Sequence, residues 1–206
     1  MMLSPTRRIG RRAAIAPLAA ILLIPLLALT AFAVDMGYIV LIQSDLQNAA
    51  DSAALAGANK LMTGYVQYNL PGQSTANKAN ILSTAESSAS AAAIQFAGLN
   101  NAGVNGLTLL NSDIQFGFTD GSGNYTPNSD SSTVYPNTIK VTLRRDNTAN
   151  TPLGLFFGPA VGTSSVNLTA SAAATIYAAN INSFQNTSSL QLGMLPITYD
   201  VNAWNN

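Results

Sequence analysis

The sequence predicts an α+β domain carried on a long N-terminal helix that crosses a membrane. Three observations predict it: an unbroken apolar run at residues 13–34 behind four arginines, helical spacing of apolar residues as far as Leu99, and a switch to a period of two beyond Val104. Helices followed by a run of strands give an arrangement in which a helical hairpin covers one face of a small antiparallel sheet.

The apolar run holds 22 residues without a charge. At a rise of about 1.5 Å per residue it reaches roughly 33 Å, enough for a bilayer core of about 30 Å. Arg7, Arg8, Arg11 and Arg12 stand directly before it, and the first charges after it are Asp35, Asp45 and Asp51. Arginines collect on the cytoplasmic side of a span, so the N-terminus is expected inside and the rest of the chain outside. The organisation read from this is a cytoplasmic basic segment at 1–12, a transmembrane helix at 13–42, an extracytoplasmic α+β domain at 43–178 and a polar tail or linker at 179–206. Ala31-Phe32-Ala33 offers a signal-peptidase site, and cleavage there would give the alternative product, a secreted adhesin or binding module. The apolar run is longer than a signal peptide's core, and helical patterning continues through Ala33; both favour retention as an anchor. Pro17 falls in the first turn, while Pro25 is expected to bend the middle of the span.

Composition excludes several functions. Charged residues make up 9% of the chain, against about 25% in ordinary soluble proteins. From residue 13 onward five basic side chains face nine acidic ones, a balance of −4, so no nucleic-acid partner is expected. The chain has no cysteine and no histidine, which excludes disulfides, Ser-His-Asp triads and histidine-bound metals. No cofactor is expected, and no enzymatic role.

Past the span, Ile42, Leu46, Ala49, Ala53 and Leu61 form a stripe at helical spacing, with Gln43, Gln47, Asp51 and Asn59 off it. Ala49, Ala53 and Gly57 make one small-residue row and Ala50, Ala54 and Ala58 another. Such rows let a second element approach closely, either a neighbouring subunit's helix, as in a homo-oligomer, or a sheet within the chain. The helical signal fades at Met62-Thr63-Gly64, and Leu70-Pro71-Gly72 reads as a turn. A second helix is expected from near Ser74 to Leu99, stopped by Gly98, Asn100 and Asn101.

Three strands follow, centred on Ile114-Phe116-Phe118, on Ile139-Val141-Leu143, and on Val166 to Ala174. Asp120 to Asn124 is expected to turn between the first two. Residues 151–162 are too rich in proline and glycine for a strand, and 153–157 is expected to form one helical turn. Lys140, Arg144 and Arg145 read as the solvent face and end of a strand. Asp35 reads as an interfacial charge of little cost. Asp113, Asp120, Asp130 and Asp146 lie in or beside turns, where aspartate caps the backbone. Asp120, Ser122 and Asn124 place oxygens at alternate positions as a calcium loop does, with Asn128 and Asp130 nearby. Tyr125 stands where that loop needs glycine and Ser131 where it needs glutamate, so no metal site is expected.

The segments at 11–23, 33–38 (Ala-Val-Asp-Met-Gly-Tyr) and 46–58 (Leu-Gln-Asn-Ala-Ala-Asp-Ser-Ala-Ala-Leu-Ala-Gly-Ala) closely resemble the N-terminal segment of TadG-like proteins of the bacterial Flp/Tad pilus-assembly system. A looser similarity lies at 139–145, around Pro152-Leu153 and Phe156-Phe157-Gly158, and at 166–174. The resemblance implies a structural protein of the bacterial inner membrane with a periplasmic or extracellular domain. Its partners would be the lipid bilayer and other Tad pilus-assembly proteins or pilin subunits. Asp120-x-Ser122-x-Asn124 is similar to the D-x-S-x-S metal site of von Willebrand-type adhesion domains, which some long TadG-like proteins carry, but departs from it at Asn124. Pilins and their relatives are processed after a glycine, with glutamate five residues on. Gly10 is present but Ile15 takes the glutamate's place, so the span is expected to remain. The region from Leu195 to Trp204 resembles the point where longer TadG-like proteins continue, so the chain reads as a fragment or a short member.

Overall fold

The computed structural model describes residues 15–128 and 134–177, without the side chain of Ala16. They form a compact unit ending at Ile176; the unit from Tyr177 to Asn206 lies outside the described residues apart from Tyr177 itself. The four N-terminal arginines, Asp130, Ser131 and Trp204 also fall outside them.

Helix α1 (Ile15–Tyr68) is 54 residues long and passes through Pro25 without interruption. Residues 17–30 are all exposed, with leucine and isoleucine on every side. A helix apolar all round has no preferred buried face. From Ile42 onward the same helix turns one face inward, and Leu46, Ala49, Ala50, Ala53 and Leu61 are fully buried. Helix α2 (Thr75–Gly98) starts under a Ser74 cap, whose hydroxyl accepts the Asn77 N–H. It packs along the lower half of α1 through Leu82, Ala85, Ala89, Ala93 and Ala97.

The sheet has the order β2-β1-β3-β6 and is antiparallel at every pairing: β1 (Ile114–Thr119), β2 (Tyr125–Pro127), β3 (Thr138–Arg145) and β6 (Leu168–Thr175). Its long pairing runs from Thr138 opposite Thr175 to Arg145 opposite Leu168. Ile139, Val141 and Leu143 point from β3 into the core beneath α1. Between β3 and β6 the chain makes a separate hairpin of β4 (Leu153–Gly154) and β5 (Ser165–Val166).

The architecture is the expected α+β arrangement, with four local differences. Helix α1 runs on through Gly64 to Tyr68, and Gly64 is packed so closely that a Cβ there would overlap the Tyr135 hydroxyl and the Ala85 methyl. That close packing offsets the helical cost of glycine, about 1 kcal/mol. The turn at Asp120 leads into β2, a short edge strand ending in Pro127, and not directly into β3; proline is tolerated at an edge. Leu153-Gly154 is a strand, and the helical turn lies later, at Gly158–Val161. Val166 belongs to β5, so β6 begins only at Leu168.

Candidate functional site

A densely connected polar region lies where α1 leaves its exposed half and meets the domain. Asp35 is the first charge after the apolar run, yet it is only 6% exposed. Its Oδ1 accepts the Phe156 N–H at 2.9 Å and its Oδ2 the Phe157 N–H at 3.0 Å, while Phe157 N also lies 3.3 Å from Oδ1. Read from sequence as a charge of little cost at an interface, Asp35 is instead a buried clasp holding the β4–β5 tip to the helix. Charge-assisted hydrogen bonds to backbone amides are the strong kind. One turn further along α1, the Tyr38 ring meets that of Phe156 with centroids 5.0 Å apart.

Arg145 completes the junction, and here the sequence reading needs correcting. It is 3% exposed and not on a solvent face. Nη1 donates to Ala102 O at 2.8 Å, and Nε lies 3.3 Å from Asn150 O and 3.2 Å from Thr151 O. Burial pulls its pKa below the ordinary arginine value, with Tyr38 acting in the opposite sense. Its contacts hold Asn150 and Thr151 at positive φ, 62° and 54°, a conformation that is costly for a β-branched residue. A Cβ at Gly103 would lie 2.5 Å from Arg145 Nη1, 3.1 Å from Ile42 Cδ1 and 3.3 Å from Tyr38 Oη, so glycine lets three elements converge there. Arg144 is half-buried and pairs with Asp113, its Nε donating to Oδ2 at 2.7 Å, with Asp146 at 3.5 Å. Lys140 lies over the Tyr125 ring, 5.5 Å from its centroid.

The small-residue rows are filled from within the chain. Ala49 and Ala53 are completely buried, and a Cβ at Gly57 would lie 2.5 Å from Ile139 Cδ1 and 3.2 Å from Ala89 O, so α2 and β3 both close on this point. Sequence reasoning missed the role of two neighbours. Gln43 Nε2 donates to Thr169 O at 2.8 Å, and Gln47 Nε2 donates to Ser171 O at 3.1 Å and to Asp51 Oδ1 at 3.0 Å. Both carbonyls belong to β6, an edge strand, and glutamines on α1 cover what an edge would leave open. The available signal was their spacing of four, which puts both on one side of the helix.

The Asp120 loop is a self-contained turn. Asp120 Oδ1 accepts the backbone N–H of Ser122 at 2.9 Å and of Asn124 at 2.8 Å, and Oδ2 accepts the Asn124 side-chain amide at 2.9 Å. These bonds hold the Asp120 carboxyl below its ordinary pKa. Asn128 joins β1 through its N–H to Phe116 O at 2.9 Å. A hollow of about 440 Å³ between the two helices is lined by Lys60, Thr63, Gln67, Asn80 and Ser88 among others, with no carboxylate among the described residues there. Among the described residues, no three acidic side chains gather as a metal cage would require.

Clasp, stripe and edge cover thus all sit on α1, between Asp35 and Leu61. Residues 13–60 match the family model described as Putative Flp pilus-assembly TadE/G-like. The matched segment is the part of the chain that enters the apolar run, carries Asp35 and Tyr38, and ends at Lys60, just beyond Gly57. No curated protein and no solved structure matches the chain. The TadE/G-like match connects the protein with Flp pilus assembly, and α1 is long and apolar enough to cross a membrane.

Proposed function

We propose that the chain is a membrane-anchored structural component of Flp/Tad pilus assembly, acting by helix packing and protein contacts and not by catalysis. In this reading residues 1–12 lie in the cytoplasm and residues 13–42 cross the inner membrane once. Residues 43–178 form the periplasmic or extracellular domain, and residues 179–206 are a polar tail or linker. Its partners are the bilayer and other Tad assembly proteins or pilin subunits.

The observation that carries the reading is the continuity of α1. Its first half is apolar on every side with no part of that stretch buried, and the same helix then supplies the spine of the domain without a break. An all-round apolar helix in water would aggregate, and lipid removes that cost. The TadE/G-like match across both halves supports a role in which anchor and domain act together.

The test is fractionation of the expressed chain, followed by protease treatment of intact spheroplasts and N-terminal sequencing of the mature protein. The expected result is a carbonate-resistant membrane protein with its N-terminus intact and its domain digestible from outside. A mature chain beginning at Val34 would replace this reading with the secreted adhesin or binding module. Exchanging Arg7, Arg8, Arg11 and Arg12 for alanine should weaken the topological preference and leave part of the population inverted.

A further inference from the structure

The tip of the β4–β5 hairpin, residues 155–164, reads Leu-Phe-Phe-Gly-Pro-Ala-Val-Gly-Thr-Ser, and no charged residue occurs anywhere between Asp146 and Asp200. Its large apolar side chains face outward: Val161 is 83% exposed, Phe156 65% and Phe157 47%. A water-facing loop of this length ordinarily carries charge or polar side chains at its tip. This one turns apolar surface out while closing its own backbone. Leu155 N donates to Ser164 O, Thr163 N to Gly158 O and Ala160 N to Phe157 O, each at 3.0 Å. Asp35 takes the amides of Phe156 and Phe157, and Pro159 has none to satisfy. With these amides paired, taking the tip out of water costs less than it would for an open loop.

Position points the same way. Phe157 does not lean toward the domain; with Leu27, Ala28, Thr30, Ala31 and Val34 it lines an apolar hollow of about 410 Å³. Those residues precede Asp35 and belong to the half of α1 assigned to lipid. Phe156, on the Tyr38 side of the clasp, stands one level further out, where aromatic rings collect at membrane surfaces. The tip's exposed face is therefore continuous with the apolar surface of the span.

We propose that residues 155–164 are a second membrane contact: Phe157 enters the acyl region beside the span, Phe156 and Val161 rest near the headgroups, and Asp35 fixes the tip to the helix at that depth. The domain would then stand on the bilayer at two points, with its orientation set, instead of swinging from one helix. The occupant of the hollow is a lipid acyl chain. This rests on the anchored reading of α1, and the experiment separates the two.

In a Trp204→Phe background, which removes the single native tryptophan, Phe157→Trp, Phe156→Trp and Leu27→Trp are each introduced into the full chain. Each is reconstituted into phosphatidylcholine vesicles carrying bromine at a shallow or a deep position of the acyl chain. Both hairpin probes should be quenched more by shallow than by deep bromine, with Phe157→Trp the deeper of the two, while Leu27→Trp responds most to deep bromine. Quenching of Leu27→Trp with none at either hairpin position would overturn the second contact and leave the anchor standing. Quenching at none of the three would overturn both. Protection of Phe157→Trp that disappears as protein is diluted into excess lipid would assign the hollow to a second copy of the chain, which also overturns the proposal. Thr126→Trp, on edge strand β2, serves as the unquenched reference.

Discussion

The two halves of α1 differ in make-up as they differ in surroundings: residues 17–30 hold one polar side chain, Thr30, whereas residues 42–61 hold nine. Residues 17–30 are rich in leucine, isoleucine and alanine, and all are exposed. Residues 42–61 are rich in alanine and leucine, and a single face is buried to completion. The first half is apolar at every angle, which suits a solvent that is itself apolar. The second half sets Gln43, Asp45, Gln47 and Asp51 beside its apolar stripe, which gives the helix an inside and an outside. Residue size matters as much as polarity: large side chains in the first half fill lipid, whereas alanine and glycine in the second let α2 and β3 come within contact of the helix.

One substitution made in both halves tests this directly and should have the largest effect. Ala53→Leu forces three extra carbon atoms into a position with no exposed surface and should destabilise the domain by about 3 kcal/mol or more. Ala20→Leu places the same atoms on an exposed face and should leave the domain's unfolding midpoint unchanged, as read by thermal melting in detergent. Equal losses at the two positions would mean that the halves do not differ in the way described.

The point where one half becomes the other is Asp35. Asp35→Ala leaves two backbone amides of the hairpin tip without their acceptor and should cost about 2 kcal/mol. Amide hydrogen exchange should speed up at Phe156 and Phe157 before anywhere else. Asp35→Asn keeps one acceptor oxygen and should fall between the two. If exchange at the tip stays as in the parent, the clasp is not what holds it.

Most of the architecture was legible because its signals are periodic. The stripe from Ile42 to Leu61, the second helix behind Ser74 and the alternation in β1, β3 and β6 each repeat a pattern several times, and each element is present. What escaped notice depends on one residue meeting another far along the chain. Asp35 finds its partners 121 and 122 positions away, and Arg145 reaches Ala102 across 43. A charged residue near a strand's end looks solvated until the loop that surrounds it is placed. The two-residue strands β4 and β5 are too short to show a period, and Gly154 and Pro152 argued against a strand that pairing nonetheless forms. The junction was thus hidden for the same reason that it is informative: its deciding contacts, from Asp35 to Phe156 and Phe157 and from Arg145 to Ala102, are long-range.

A smaller effect is expected where α1 covers the sheet. Gln43→Ala and Gln47→Ala each release one carbonyl of β6, at Thr169 and Ser171, to water. Each should cost about 1 kcal/mol, and the double variant close to the sum, since the two bonds share no acceptor. A sharper consequence is exposure of a strand edge, so the double variant should associate at concentrations where the parent stays dispersed in the same detergent. Sedimentation velocity distinguishes the two, and an unchanged distribution would mean that other groups protect the edge.

The smallest effect separates the domain from the exposed part of α1 by pH. Burial raises Glu86, on the α2 face of the hairpin, above its ordinary value of 4.5, so the folded chain holds that proton more tightly than the unfolded one. The stability this group contributes is complete below about 4.5 and is lost as pH rises through its raised value. Asp146 works in the other direction. Hydrogen bonds from the Ala149 and Thr148 amides, with Arg144 beside it, hold it below its ordinary 3.8. Its contribution is present above that value and disappears as pH falls through the lowered one. Stability of the domain should therefore decline gently as pH climbs from about 4.5 toward neutrality. Glu86→Gln, which cannot ionise, should flatten that decline and raise the midpoint at neutral pH. Residues 17–30 contain no titratable group, so the helical signal that survives domain unfolding in detergent should show no pH dependence over the same range. Parallel decline in parent and Glu86→Gln would remove Glu86 as the cause.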